Sequence, residues 1–567
     1  VNPVLLAGVA ALLAGGTEPD APHVVVFRHV NVVPMDSERV LRDQVVVVRD
    51  GEIVALGGEG KAEPPAGDVA TIDGKGAFLL PGLADLHVHA QQPDDLFLYV
   101  ANGVTTTLNL GLAWPSFVTQ TRARIRSGEL VAPQCFVAPM LNGPRGSDLP
   151  CATADEARAA VRTAKETGYE FIKVYNDLPR PLFHAVCEEA HALGLAVVGH
   201  GVREPGLAES FEAGQIMVAH AEEYLYTILK SGTANGVAGL GGPDESKVPE
   251  AVELTKKYGV YVVPNLSAYE AISAQWGKPE VVDAFLAKPQ IRVMRPFWRR
   301  AWRASRYTAN GGTLGRNLEF LRGFTKALHD GGVRLLAGTD SPDIPGVQAG
   351  FSIHDDLRNL VASGLSPFDA ISCATRVAGE FVAECVPDAE AFGTVAVGQR
   401  ADLLLVEKNP LEDVANLRDP GGVPIGVMIR GRWFTRDDLT KRLDAMAARF
   451  TEMEACENAF VAAGRKSGWA AACAGVDATK RTLDEEMLND VGSQLQREGQ
   501  RDQALAVLEL ATRMYPDSAN AVDSLGDLLA ALGRPDDARA SYEKELALDP
   551  RSVRAKRSLA KAPAPPR

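Results

Sequence analysis

At 567 residues the chain is too long for a single hydrophobic core, and roughly two to four domains are expected. Apolar content of 46% and charged content of 23% belong to an ordinary globular protein, while a net charge of −14 argues against nucleic acid, whose backbone demands a basic surface. Seven scattered cysteines show no C-x-x-C spacing, so neither a zinc ribbon nor a disulfide framework is signalled.

The first stretch, Val4 to Ala14, is apolar and runs into Gly15-Gly16-Thr17-Glu18. It is shorter than the ~20 residues needed to span a bilayer. It fits the apolar region of a secretory signal, although no positively charged segment precedes it. Residues 1–22 are therefore expected to be a signal segment and the protein to be exported, periplasmic or secreted, with a cytoplasmic location as the alternative. No other stretch is long and apolar enough to cross a membrane.

Residues 23–80 are rich in β-branched runs, and Asp50-Gly51 between Val45–Val48 and Ile53–Leu56 is a hairpin signal. The same texture returns at Ala401–Val406 and Val427–Trp433. Residues 23–80 plus 390–435 are accordingly expected to form one small, discontinuous β-sandwich domain. Between them, residues 81–389 alternate short apolar runs with amphipathic helical stretches, which favours a parallel α/β architecture. Eight candidate strands are found: 83–87, 105–110, 135–139, 171–175, 196–200, 216–220, 260–264 and 334–340. Eight strands with intervening helices suggest a (β/α)8 TIM barrel, whose functional groups sit at the C-terminal strand ends. Periodicity does not distinguish a closed barrel from an open sheet. Residues 267–315, with Trp276, Trp298, Arg299, Arg300, Trp302, Arg306 and Tyr307, interrupt the rhythm as either a substrate-facing lid or an added helical hairpin.

From about residue 437 the chain reads as helical, with 436–484 a helical linker. Gly492 and Gly526, Gly499 and Gly533, Ala504 and Ala538, and Pro516 and Pro550 are each 34 residues apart. That is the period of a tetratricopeptide repeat, so 485–561 is expected to be an all-α region of two such repeats with a capping helix. Glu545 departs from the pattern, standing where a small residue is usual. The tail, 562–567, is expected to be disordered.

The chemistry concentrates at the strand ends. In Leu80-Pro81-Gly82-Leu83-Ala84-Asp85-Leu86-His87-Val88-His89, residues i and i+2 of a strand share one side, so His87 and His89 can aim both imidazoles at one point. Lys173 lies in the fourth strand, His200 ends the fifth, His220 the sixth and Asp340 the eighth. Of only ten histidines, four fall at these ends. Each alone reads equally as a hydrogen-bonded core residue; together they outline a ring of metal ligands on one face. Arg145, Tyr175, Tyr224, Tyr226 and Tyr269, just beyond strand ends, are candidate substrate contacts, or else packing residues. His184, His191, His329 and His354 read as structural.

With these residues in place, the stretch from about 23 to 435 resembles the amidohydrolase superfamily of metal-dependent hydrolases. The resemblance rests on Pro81 to His89, on Gly338-Thr339-Asp340-Ser341 and on Gly398-Gln399-Arg400-Ala401-Asp402-Leu403. Phe171-Ile172-Lys173-Val174-Tyr175 looks like members that use a carboxylated lysine, and the overall look is nearest to imidazolonepropionase-related and prolidase-like hydrolases. The resemblance implies that His87, His89 and Asp340 bind one metal and His200 and His220 a second, with Lys173 bridging both as a carbamate. It implies that a metal-bridging hydroxide attacks the substrate and that Asp340 moves a proton to the leaving amine. The mixed donor set suits Zn2+, two per chain, with Mn2+, Fe2+ or Co2+ as alternatives. The implied substrate is a small molecule with an amide or peptide-like C–N bond, of the dipeptide or N-acyl amino acid class. A cyclic amide, lactone or heterocycle, hydrolysed or deaminated on the same fold, is the nearest alternative. An interaction scaffold, acting on a protein partner or on itself through the repeats, is the alternative of another class.

Overall fold

The structure, a computed structural model, describes residues 24–62, 69–229, 243–418 and 422–561. The expected signal segment, 1–22, and the tail, 562–567, lie outside the described residues. The chain divides into two compact units. One comprises Val1–Trp114, Thr121–Lys288 and Trp302–Leu443; the other comprises Pro115–Gln120, Pro289–Ala301 and Asp444–Arg567. Among the described residues no helix is long and apolar enough to cross a membrane.

The strands of the first unit are, in chain order, β1 (Val24–Val32), β2 (Leu41–Arg49), β3 (Glu52–Gly57), β4 (Val69–Asp73) and β5 (Phe78–Pro81), then β6 (Leu83–Val88), β7 (Val104–Leu110), β8 (Gln134–Ala138) and β9 (Met140–Leu141). There follow β10 (Phe171–Val174), β11 (Ala196–Gly199), β12 (Gln215–Ala219) and β13 (Tyr261–Val263), and finally β14 (Leu403–Val406), β15 (Gly426–Ile429) and β16 (Arg432–Thr435). The first five and the last three join in one eight-stranded sheet ordered β16-β15-β14-β5-β1-β2-β3, with β4 beside β1. The join is the antiparallel pair β5–β14, in register Leu80 to Leu404. The Asp50-Gly51 turn holds φ of 50° and 83°, the positive pair that a tight hairpin requires. β1 is buried on both faces: Val25 and Phe27 pack with Leu403, Leu405 and Met428, while Val24 and Val26 pack with Val45 and Val47. Two covered faces explain its unbroken apolar run.

The middle of the chain is parallel. β6-β7-β8 form one ladder and β9-β10-β11-β12-β13 another. β8 and β9 flank Pro139, whose missing N–H interrupts the ladder, so the third expected strand is split. The eighth expected strand forms no regular ladder. It is held by isolated parallel bridges, Leu335 to Val262 and Ser341 to Val88, which tie it to β13 on one side and β6 on the other. The cause is local: Asp340 turns to a φ of 64°, outside the β region, so the ladder breaks there. Inward residues from these strands, among them Leu86, Leu108, Phe136, Phe171, Val198, Met217, Val263 and Leu336, share one apolar core. That burial supplies the rigidity the strand ends need.

The second unit is helical among its described residues. Phe460, Ala472 and Cys473, from within 436–484, share one core with Leu488, Leu508 and Leu528. The helices Glu485–Arg497, Arg501–Met514, Ala519–Ala531, Pro535–Leu548 and Val553–Lys561 follow. Side chains 34 residues apart do the same work. Asp484 caps the first of these helices, Ser518 the third and Ser552 the fifth. A Cβ on Gly492 would meet Leu508 at 2.6 Å, and one on Gly526 would meet Tyr542 at 2.8 Å. Glu545 is buried, and its carboxylate accepts from the hydroxyl of Ser552 at 2.5 Å. That bond ties the fourth helix to the turn before the fifth.

Candidate metal centre

Strand geometry carries the six expected ligands to one place. His87 Nε2 lies 3.2 Å and His89 Nε2 2.9 Å from the same oxygen of Asp340, and His220 Nε2 lies 3.8 Å from the other. The rings of His87 and His220 are 4.7 Å apart, and those of His220 and His200 are 4.6 Å apart. His87, His220 and Asp340 each offer a ligand atom within 4.8 Å of the others. Gly338 makes the close approach possible, because a Cβ there would lie 2.5 Å from Val263 Cγ1 and 3.0 Å from His87 Cβ. Any larger residue would push strand eight off strand one.

Asn265 decides where the protons sit. Its Oδ1 accepts the backbone N–H of His220 at 3.2 Å and its Nδ2 donates to the carbonyl of Gly338 at 2.8 Å, which fixes the amide orientation. His87 Nδ1, 3.1 Å from that Oδ1, must then be the donor. Its Nε2 is left as a buried lone pair with no hydrogen-bond partner among the described residues. His89 Nδ1 lies 3.4 Å from the carbonyl of Gly111. His200 Nδ1 faces Glu223 Oε1 at 2.9 Å and Asn176 Oδ1 at 3.2 Å. Burial pulls His87 and His200 below the usual imidazole range and His220 to about 3, which favours the neutral form of these three rings. The Nε2 lone pair of His87 faces the Asp340 carboxylate at 3.2 Å, and the two repel. A cation resolves that conflict, and the donor set fits one: imidazole nitrogens with their far N–H groups tied down, beside a carboxylate.

The sequence matches the amidohydrolase family over residues 78–434, which contain the whole ring. The chain belongs to the amidohydrolase family. Over 81 residues it is 37% identical to an enamidase of Eubacterium barkeri, a match covering 13% of this chain and 21% of that protein. The chain thus spans about a fifth of the length of the curated relative it matches. Its fold is similar to that of bottromycin amidohydrolase, with a TM-score of 0.57 and 22% identity over 78% of this chain and 96% of that one. It is also similar to that of a Xaa-Pro dipeptidase solved with bound methionine, with a TM-score of 0.53 and 20% identity over 73% of this chain and 100% of that one.

Within this amidohydrolase site Lys173 is fully interior, with Nζ donating to the carbonyl of Leu110 at 2.7 Å and lying 5.4 Å from the ring of Tyr175. Burial lowers its ammonium to about 8, against the raising effect of Asp340 and Asp148. Gly199 makes room for its stem, since a Cβ there would lie 2.9 Å from Lys173 Cγ.

The expected substrate residues separate. Tyr175 lies against the ring, 4.2 Å from the imidazole of His200. Tyr226 is half-buried under the guanidinium of Arg203, 4.1 Å from its ring centre. Tyr269 is buried with its hydroxyl accepting from Asn317 at 3.3 Å. Tyr224 is wholly buried, with its hydroxyl bonded to Thr255 at 2.7 Å and its ring packed on Phe324. Arg145 is exposed, and no described contact brings it to the ring.

Several residues escaped the sequence reading. Asn265 is one, although it is the first polar residue past the seventh expected strand. Glu223 is another: it is buried, and it holds His200 and Asn176 through one oxygen and Arg203 through the other, at 2.6 Å. Asp85, buried inside β6, accepts the N–H and hydroxyl of Thr339 at 2.9 and 2.7 Å, and desolvation pushes its carboxyl up to about 8. It pins Asp340's strand to that of His87. Arg306 and Tyr307 also reach the site. Burial raises the hydroxyl of Tyr307, with the charges of Asp340 and Asp343 adding to the effect, and Tyr175 shares the influence of Asp340, Arg306 and Tyr307.

Proposed function

We propose that the protein is a metal-dependent hydrolase of an amide or peptide-like C–N bond in a small molecule, built on a (β/α)8 barrel. Its helical unit is then two tetratricopeptide repeats with a capping helix. The parallel pairings from β6 to β13, and the bridges from Leu335 and Ser341, support the barrel; the capping and glycine contacts recurring at 34 residues support the repeats.

The observation that carries the function is the ring of imidazoles whose Nε2 atoms converge on Asp340, with the lone pair of His87 left without a partner among the described residues. His87, His89 and Asp340 would hold one divalent metal, and His200 and His220 a second, with Lys173 as a carbamate between them. Bound there, the metals would supply Lewis acidity toward a carbonyl oxygen and lower the pKa of a water. The remaining work falls to the chain. Asn265 and Glu223 keep His87 and His200 in the tautomer that presents Nε2. Asp340 would accept a proton at its carboxylate and return it to the leaving nitrogen. Tyr175 lies against His200, where it can orient substrate. The buried setting of Lys173 supports the carbamate, because an ammonium so close to divalent metals would be repelled.

Dipeptides and N-acyl amino acids are the substrate class we assign; both place an amide near a carboxylate. Purified, zinc-loaded protein screened against such a library tests this, with metal counted in the same preparation. Two equivalents of metal and turnover of an N-acyl compound are expected. Less than one equivalent under saturating metal would remove the binuclear reading.

A further inference from the structure

β7 supplies none of the candidate ligands, yet the turn at its end touches two of them. Leu110 closes the strand, and Gly111 and Leu112 follow. The carbonyl of Leu110 accepts from Lys173 Nζ at 2.7 Å, and the carbonyl of Gly111 lies 3.4 Å from His89 Nδ1. Gly111 turns to a φ of 97° and Leu112 to 61°. Glycine adopts that region freely, whereas leucine does so only where its surroundings hold it. The side chain of Leu112 does not do the holding, because it is exposed.

The hold comes from Asp148. One of its oxygens, Oδ2, accepts the backbone N–H of Leu112 at 3.0 Å and that of Met140 at 2.8 Å, and its own N–H donates to the carbonyl of Met140 at 2.9 Å. A Cβ on Gly111 would lie 3.6 Å from the same oxygen and 3.7 Å from Lys173 Cδ, so the glycine sits between the two. Met140 pairs with Lys173 across β9 and β10. Asp148 therefore ties the end of β7, in one parallel ladder, to β9 in the other, across the break at Pro139. Its own loop fixes it. Ser147 Oγ donates to the carbonyl of Gly143 at 2.8 Å and accepts the N–H of Asn142 at 2.7 Å, and the N–H of Cys151 donates to the carbonyl of Gly143 at 3.1 Å.

The N–H of Leu112 and the carbonyl of Gly111 belong to one planar peptide unit, so holding the first aims the second. At 3.4 Å the contact with His89 is near the outer limit of a hydrogen bond, and a small shift of that peptide would break it. A carbonyl only accepts, so the contact is a hydrogen bond when the proton of His89 sits on Nδ1. Nε2, 2.9 Å from Asp340, then carries a lone pair.

We propose that Asp148 is a positioning residue of the metal centre: through the peptide between Gly111 and Leu112 it holds His89 with its proton on Nδ1 and with Nε2 free for a metal. The same turn keeps the carbonyl of Leu110 on Lys173 Nζ. That bond needs one hydrogen on the nitrogen, and a lysine carbamate retains one. Glu223 acts on His200 directly, at 2.9 Å, whereas Asp148 acts on His89 through one peptide unit. The metal-binding part of the scheme rests on the hydrolase reading above.

The test uses the full-length, zinc-loaded protein, with isotope-labelled histidine so that the ring N–H of His89 can be followed. In Asp148→Ala the backbone N–H of Leu112 and the ring N–H of His89 should each exchange about tenfold faster or more while exchange in β11 is unchanged, as expected for local loosening. Zinc affinity, read by competition with a chelator, should fall about 10- to 100-fold. Asp148→Asn keeps an acceptor oxygen without the charge, and should move the same readings in the same direction by only about fivefold. Exchange that quickens in β11 as much as at Leu112 would mean a role in folding alone and would overturn the proposal. Ring exchange at His89, or zinc affinity, within about twofold of the parent in Asp148→Ala would overturn it too. If Asp148→Ala does not fold, Asp148→Asn is read by the same criteria. A parent protein that binds no zinc counts against the metal-centre reading alone, and the two exchange rates, measured without metal, then decide the role of Asp148.

Discussion

Replacing Asn265 with alanine removes one small side chain and unties three strands. The carbonyl of Gly338 and the Nδ1–H of His87 would each lose their partner, and the backbone N–H of His220 would keep only its bond to the carbonyl of Val263 at 2.8 Å, all around a position with no solvent exposure. A buried polar group left unsatisfied costs about 1–3 kcal/mol, so the two together should cost about 2–4 kcal/mol, allowing for relaxation. Alanine must also hold the φ of 52° that asparagine tolerates, adding about 1 kcal/mol. Freed from its anchor, His87 can rotate or change tautomer, and loss of such an outer partner typically weakens metal binding by about 10- to 100-fold. The assay is a competition titration of zinc against a chelator, with a thermal melt of the metal-loaded protein beside it. Asn265→Gly removes the same three bonds without the backbone strain, so its melt should fall between alanine and parent while its metal affinity matches alanine. If both variants held zinc within about twofold of the parent, Asn265 would not set the tautomer of His87, and the lone-pair argument would fail with it.

Asp340→Asn should lower kcat by at least about a thousandfold, as expected when proton transfer and charge are lost together. Retained turnover in that variant would remove Asp340 as the proton carrier. Gly338→Ala should displace strand eight from His87 and cost both metal and fold, read as lost zinc and a lower melting temperature; a parent-like protein would refute the close approach. Glu223→Gln should leave the metal held by His87 and His89 in place but weaken the second site, so that metal analysis falls from two equivalents toward one. In the helical unit, burial and the neighbouring Glu545 hold the carboxyl of Asp523 above its usual range, despite Arg554 at 2.5 Å. A raised folded pKa means a stabilisation that is complete below the unfolded value of about 3.9 and is lost as pH rises through the folded one. The helix Val553–Lys561, which carries Arg554, should therefore exchange faster at pH 8 than at pH 5 after correction for intrinsic rates, and Asp523→Asn should flatten that dependence.

Legibility followed period and distance along the chain. The candidate ligands His87, His89, Lys173, His200, His220 and Asp340 were readable because a strand presents alternate residues to one side and parallel strands bring their ends together. The Asp50-Gly51 hairpin and the 34-residue recurrence were readable for the same reason, since each is a local geometric repeat. Tyr224 shows the limit. It stands beside a strand end like Tyr226, yet its hydroxyl goes to Thr255, because side-chain direction beyond a strand depends on a turn that the sequence does not specify.

The sequence by itself determined which residue types stand at the strand ends, and hence the expectation of a metal ring. Only the tertiary structure decided which nitrogen of His87 carries the proton, because that depends on Asn265, 178 residues away in the chain, meeting it at hydrogen-bond distance. Only the tertiary structure assigned Pro289–Ala301 to the helical unit as well, since the acids that hold its arginines lie about 150 to 190 residues further on. Pairings between distant residues follow from packing, which no periodicity along the chain encodes.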